Sequence, residues 1–140
     1  MNLNPNIRNG KTDGAIRSRS SFDGNGRNGN TGADYVLITG GAGFIGANLA
    51  YRLLRDGERV LLFDNLSRAG VEQNLEWLSS QFGEQVSLMD GDIRDSGMVS
   101  DAVSDARMVF HFAGQVAVTT SLETPRADFE VNACGTLNVL

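Results

Sequence analysis

Residues 39 to 46 read Thr-Gly-Gly-Ala-Gly-Phe-Ile-Gly, and the flanking residues make this run restrictive. Before it stands Tyr35-Val36-Leu37-Ile38-Thr39, a short apolar, β-rich stretch that reads as a buried strand. After it, Ile45, Leu49 and Leu53 recur at i, i+4 and i+8, and Gly57 follows the pattern, so 44 to 55 reads as a helix. Gly40, Gly41, Gly43 and Gly46 satisfy both G-x-G-x-x-G and G-x-x-G-x-x-G. In a strand-to-helix corner such glycines permit the tight turn, let backbone approach a ligand, and bring the helix close to the sheet. The helix N-terminus adds free N–H groups and the positive end of a dipole, a receptive place for an anion. A glycine turn that binds nothing is the plainer alternative.

The next apolar run, Arg59-Val60-Leu61-Leu62-Phe63, reads as a second buried strand and is closed by Asp64. Asp64 lies 18 residues beyond Gly46, near the spacing of about 20 at which an acid meets an adenosine ribose in dinucleotide-binding units. A carboxylate there accepts from both ribose hydroxyls and repels a 2′-phosphate, so NAD is expected over NADP. Arg68, four residues on, is a group that could instead accommodate such a phosphate. A strand-end turn residue is the alternative for Asp64.

The alternation continues. A helix is expected over 71 to 82, with Val71, Leu75 and Leu78 on one face, a third strand over 86 to 89, and a short helix over 98 to 104, with Val99, Ala102 and Val103 inward. A fourth strand follows over 108 to 113, and a last helix, lined by Phe129, Ala133, Leu137 and Leu140, begins near Pro125 or Arg126. Strands alternating with helices indicate an α/β fold: a parallel sheet covered on both faces. The right-handed crossover rule leaves a doubly wound, Rossmann-type sheet with strand order 3-2-1-4. A fourth strand apolar on both faces would be a bare edge, so the sheet is expected to be incomplete and the chain to be the front part of a longer protein. A complete four-stranded domain is the other reading.

Charge divides the chain at residue 33. Residues 1–33 hold five basic and two acidic residues, and residues 34–140 hold seven basic and fifteen acidic ones, for a total of −5 over 140 residues. The first stretch is rich in Asn, Gly, Ser and Arg and too poor in apolar residues to offset its ordering entropy, so a disordered tail is expected ahead of a cofactor-binding domain at 34–140. The acidic remainder offers no basic face for nucleic acid. One Cys and one His exclude an internal disulfide and a Cys/His zinc site. No apolar run approaches the ~20 residues of a membrane span, and no secretory core is present, so a reducing, cytoplasmic setting is expected.

Other residues have two readings. Asp92 and Ile93, after the third strand, offer a carboxylate and a backbone amide to the edge of adenine, while Asp95 or Ser96 caps the next helix. His111, inside an apolar strand, reads as a hydrogen-bonded core residue rather than a catalytic base. Cys134 reads as structural.

The motifs at 39–46, Asp-Asn-Leu-Ser-Arg at 64–68, Gly-Asp-Ile-Arg-Asp at 91–95 and Val-Phe-His-Phe-Ala-Gly at 109–114 occur in order. As a set, over residues 34–140, they resemble the front half of an extended short-chain dehydrogenase/reductase of the NAD-dependent nucleotide-sugar epimerase/dehydratase type. The stretch 111–121, with 128–132 and 135–138, is further similar to enzymes that epimerise CDP-linked sugars at C2. The resemblance implies that Gly40, Gly43, Phe44, Ile45 and Gly46 meet a diphosphate, mainly through backbone. It puts Asp64, Asn65, Ser67 and Arg68 around the adenosine ribose and Asp92 and Ile93 at adenine. Phe112, Ala113, Gly114 and Gln115 would lie beside the nicotinamide ribose, supported by Asn132, with Thr119, Thr120 and Ser121 toward the sugar. A polar loop before a helix is the alternative for 119–121. The resemblance also implies hydride removal and return at a sugar carbon, a nucleotide-sugar substrate, and a homo-oligomer for the full-length protein. A standalone NAD-binding module, and a 4-epimerase or 4,6-dehydratase, are the other readings.

One departure stands out. The family carries a Tyr-x-x-x-Lys pair for proton transfer. Here the tyrosines are Tyr35 and Tyr51, position 55 is Arg55, and the single lysine is Lys11. No catalytic residue and no metal ligand is therefore assigned.

Overall fold

The computed structural model describes residues 35–140. The tail expected at 1–33 lies outside the described residues. Four parallel strands form one sheet in the order β3-β2-β1-β4, with β1 at Tyr35–Thr39, β2 at Val60–Asp64, β3 at Val86–Asp90 and β4 at Ala106–His111. This is the order expected from the crossover rule. Between them run α1 (Phe44–Arg55), α2 (Val71–Phe82) and α3 (Ser96–Ser104). Register is set with Leu37 beside Leu61 on one flank and Val109 on the other.

The fold is doubly wound because alternate residues of the central strands feed two cores. Val36, Ile38, Val60 and Leu62 pack with Ala47, Ala50 and Leu54 of α1 and Leu78 of α2. Leu37, Leu61 and Phe63 pack on the opposite face with Val99 and Ala102 of α3 and Ile93. β1 and β2 carry apolar residues on both faces because both are covered. Their nearly complete burial makes them the stable centre of the sheet.

Two helix faces differ from expectation. The buried stripe of α1 is Gly46, Ala47, Ala50 and Leu54, while Leu49 and Leu53 pack at its margin and Ile45 is exposed. Small residues take the inner face because they let the helix lie close to the sheet. After β4 come α4 (Val118–Glu123), which replaces the loop considered for 119–121, and α5 (Pro125–Phe129). α5 runs through one wide π-type turn, Glu130–Cys134, into α6 (Gly135–Val139). Phe129, Ala133 and Leu137, expected inward, are exposed. Val131, Gly135 and Val139 face the sheet instead, because only a residue without a side chain fits over Ile93: a Cβ on Gly135 would stand 2.7 Å from Ile93 Cγ2. β4 sits at the sheet edge, two residues earlier than expected, and Met108 is exposed. No helix among the described residues is long and apolar enough to cross a membrane.

Candidate functional site

The carboxyl ends of the four strands bring the expected site residues into one row. Asp92 follows β3, Asp64 ends β2, Gly40 follows β1 and Phe112 follows β4, in the spatial order β3-β2-β1-β4. Three strand spacings separate the ends of this row, about 14 Å.

At its centre is the corner between β1 and α1. Gly40 has φ +65°, and a Cβ there would lie 2.7 Å from Ala113 N and 2.8 Å from the Phe112 carbonyl carbon. A Cβ on Gly46 would clash with the Gly40 carbonyl oxygen, well inside van der Waals contact. Both positions therefore require glycine for packing. The first N–H returned to the corner in helical fashion is that of Ala47, which donates to Gly43 O at 2.9 Å. The N–H groups of Phe44, Ile45 and Gly46 precede it and have no carbonyl one turn back. No side chain caps this end and no acid stands in its first turn. The side chains of Phe44 and Ile45 are 81% and 62% exposed, so they do not plug the corner.

The corner is braced from outside. Ala42 N donates to Asp64 Oδ2 at 3.0 Å, and Asn74 Nδ2, from α2, donates to Ala42 O at 2.8 Å. Both sides of Ala42 are thus fixed, one by the expected ribose acceptor and one by a residue that the sequence did not single out. Asn74 lies 32 residues away in a helix, and no local pattern marks it.

On the β3 side, Asp64 Oδ1 accepts the Leu66 N–H at 3.0 Å and Asn65 Oδ1 accepts the Ser67 N–H at 3.2 Å. These turns hold Leu66 at φ 51°, a left-handed conformation that costs a branched-chain residue about 1 kcal/mol. Asp92 is the most heavily bonded acid of the row. The Arg94 guanidinium, foremost, with the Arg94 backbone N–H and Asn65 Nδ2, holds its carboxyl down at about 2 against the opposing effect of burial. Ile93 is held by Asn138 Nδ2, which donates to its carbonyl at 3.0 Å. Asp95 rather than Ser96 caps α3, accepting the Gly97 and Met98 N–H groups at 3.0 and 3.1 Å. Arg68 stands exposed beyond Ser67.

On the β4 side a hydroxyl organises the loop. Thr39 Oγ1 accepts the N–H groups of Phe112 at 3.2 Å and Ala113 at 3.3 Å, so its own hydroxyl donates to His111 Nδ1 at 2.6 Å. His111 therefore carries its proton on Nε2, which donates to Thr136 Oγ1 at 3.0 Å; Thr136 in turn donates to Asn132 O at 2.6 Å. Burial pushes the His111 pKa down from 6.5, favouring this neutral form. His111 is thus hydrogen-bonded through both ring nitrogens, but it is half-buried on the edge strand rather than a core residue. Asn132, in the wide turn, accepts from Gln115 N at 2.8 Å and donates to Gln115 O at 2.9 Å. It positions Gln115 through its backbone, and a Cβ on Gly114 would stand 3.1 Å from the same Asn132 Oδ1. Ser121 donates to Asp128 at 2.7 Å, fastening α4 onto α5, and Thr119 and Thr120 lie on the same short helix. The strand ends thus bring Gly40, Asp64, Asp92 and Phe112, with the residues that follow each, to one edge of the sheet, with Asn132 bonded to Gln115; Thr119, Thr120 and Ser121 lie on α4, which follows β4 in the chain. Among the described residues no group of three or more His, Cys, Asp or Glu is arranged to hold a metal ion.

Residues 37–140 match the family model described as GDP-mannose 4,6 dehydratase. The chain is 48% identical over 107 residues to the CDP-paratose 2-epimerase of Salmonella typhi, covering 75% of this chain and 31% of that protein. It is 35% identical, over the same share of each, to a dTDP-glucose 4,6-dehydratase of Mycolicibacterium smegmatis. Among solved structures, the UDP-glucose 4-epimerase of Thermus thermophilus in complex with NAD superposes with a TM-score of 0.62 at 39% identity, covering 75% of this chain and 32% of that one. The chain spans about a third of the length of the relatives it matches.

Proposed function

The chain belongs to the NAD-dependent epimerase/dehydratase family of extended short-chain dehydrogenase/reductases, and we propose that it binds NAD along the carboxyl edge of its sheet as the cofactor-holding part of a nucleotide-sugar epimerase. The observation that carries the reading is the open corner at Phe44–Gly46, with three N–H donors and no acid in the first turn of its helix, standing beside Asp64. A diphosphate fits there because Gly43 leaves backbone rather than side chain at the surface, while the buried Gly46 lets the helix end sit close beneath it. Each Asp64 oxygen uses one lone pair on backbone and keeps one for a ribose hydroxyl. Asn65, Ser67 and Arg68 complete that end, and Asp92 and Ile93 offer an acceptor and a donor to adenine. Phe112 to Gln115, backed by Asn132, supply the wall at the nicotinamide end, with Thr119, Thr120 and Ser121 toward the sugar.

The chemistry NAD supplies when bound is reversible hydride acceptance at a sugar carbon. The residues here bind, orient and exclude water. The 48% identity to a CDP-paratose 2-epimerase, against 35% to a dTDP-glucose 4,6-dehydratase, supports a CDP-linked sugar and epimerisation at C2. The 140 residues contain no Tyr-x-x-x-Lys, so the chain by itself is expected to turn over no CDP-paratose, and measurable epimerisation would contradict this. The single cysteine fits a cytoplasmic setting.

The test is calorimetric titration with NAD and NADP, repeated on Asp64→Ala. NAD should bind in preference to NADP, and the substitution should cost roughly 1–3 kcal/mol of NAD affinity. Affinity indifferent to the loss of that carboxylate defeats the assignment.

A further inference from the structure

A proton added to His111 gives one buried hydroxyl more partners than it can hold. In the neutral ring Nδ1 accepts the Thr39 proton at 2.6 Å, while Thr39 Oγ1 accepts from Phe112 N at 3.2 Å and Ala113 N at 3.3 Å. A hydroxyl has one proton and two lone pairs, so all three are in use. The charged ring carries an N–H on both nitrogens. Nδ1 then turns from acceptor to donor, and Thr39 Oγ1 faces a third N–H while its own proton loses its acceptor. Thr39 is 1% exposed, so water does not replace the lost partner. The charged donor forms the stronger bond, and the bond given up is that of Ala113 N, because Phe112 N keeps the Thr39 carbonyl at 3.0 Å.

The loss falls on the loop that follows β4. Ala113 N abuts the glycine corner, where a Cβ on Gly40 would stand 2.7 Å from it. The far end of the loop, Gln115, is tied to Asn132, and Nε2 of His111 donates to Thr136 in both ring forms, so protonation acts on the Thr39 side alone. We infer that His111 is a positioning residue whose neutral ring, acting through Thr39, holds Ala113 to Gln115 in the shape that receives NAD, so that NAD and a proton on His111 compete. The inference rests on the cofactor reading above and adds to it a proton linkage. Few charged or titratable groups lie on the elements packed around the ring. Tyr35 is at the far end of β1, Arg107 near the start of β4, Asp101 on α3, and Glu130 and Cys134 in the wide turn, while α6 carries none. None of them contributes to the lowered pKa of His111, for which burial is the cause.

The chain has a single histidine, so its imidazole signals are unambiguous. The experiment follows them by NMR in the 140-residue chain from about pH 8 downward, with and without NAD. NAD is then titrated calorimetrically at the midpoint of the free ring, in buffers of different ionisation enthalpy. The neutral ring should be the Nε2–H tautomer. NAD affinity should be level above 6.5 and fall as pH drops through the lower folded value, by up to about tenfold for each pH unit, the slope of one linked proton. Binding at the midpoint should release protons, and NAD should move that midpoint to lower pH, as linkage requires. His111→Asn should lose both the slope and the release. If that variant fails to fold, the proton count and the midpoint in wild type decide. NAD binding with no proton release and an unmoved midpoint overturns this inference and leaves the cofactor reading standing, as does a ring that stays neutral down to the pH at which the chain unfolds. A wild-type chain that binds no NAD at any pH overturns both.

Discussion

Asp64 and Ala42 are joined across the mouth of the first βαβ unit by an N–H to Oδ2 bond of 3.0 Å. The acid proposed to hold the ribose therefore also holds the glycine corner in shape. Asp64→Asn replaces one oxygen with a donor, although both oxygens accept backbone N–H groups, from Ala42 and Leu66. We expect NAD affinity to fall by about 1–3 kcal/mol, with faster amide exchange at Ala42 or Leu66. Unchanged exchange at both would remove the brace from the account.

Gly43 and Gly46 should separate packing from binding. A Cβ on Gly46 lands on the Gly40 carbonyl, whereas one on Gly43 comes to 3.2 Å from the same atom. Gly46→Ala is expected to lower stability by about 1–3 kcal/mol through overpacking, read from urea midpoints. Gly43→Ala should disturb stability less and NAD affinity more, because its methyl group occupies the surface the diphosphate would approach. Equal effects of the two on both measurements would refute the division.

Thr39 is the buried hub of the β4 loop. Thr39→Val keeps the shape but leaves Ala113 N and His111 Nδ1 without their hydroxyl partner. A cost of about 1–3 kcal/mol is expected, again by urea unfolding, with line broadening at residues 112 to 115. A neutral outcome would mean that the hydroxyl is dispensable.

His111 gives the fold an acid-sensitive element. Its folded pKa lies below 6.5, its ordinary value, because burial disfavours the charged ring. Between the two values the unfolded chain binds the proton and the folded one does not. Stability from this group is therefore complete above about 6.5 and declines as pH falls from there toward the folded value. Urea midpoints at successive pH values should show that decline in wild type and lose it in His111→Asn.

Asp95 caps α3 through two backbone N–H groups. Asp95→Ala should cost about 1 kcal/mol of stability and leave NAD affinity unchanged, since the side chain bonds only its own helix and the backbone N–H that donates to Asp92 O is kept.

Strand order, the helices α1 and α2 and the placement of Gly40, Asp64 and Asp92 at strand ends were legible in the sequence, because each rests on a local pattern: a two-sided apolar run, a glycine corner, an acid at a strand end. Residues whose role comes from the other side of the sheet were not legible. Asn74 braces the corner across 32 residues and Thr136 meets His111 across 25. Nothing within a window around either announces the partner. The inward face of the last helix was misread for a related reason. Size and apolarity favoured Phe129 and Leu137, but contact with Ile93 admits only Gly135, and a close approach leaves no trace in hydrophobic periodicity. α4 was missed because six residues are too few for a helical period to show.

The strand order has a consequence for how the chain is made. β1 pairs with β2 on one flank, but its other flank waits for β4, 72 residues further on at the Thr39–His111 level. During synthesis the first strand and its glycine corner leave the ribosome long before their second neighbour exists. Closing that distant pairing is entropically slow, and until it happens half of β1 is an open template for other chains. The nascent segment around Leu37 is the stretch a chaperone would be needed to shield.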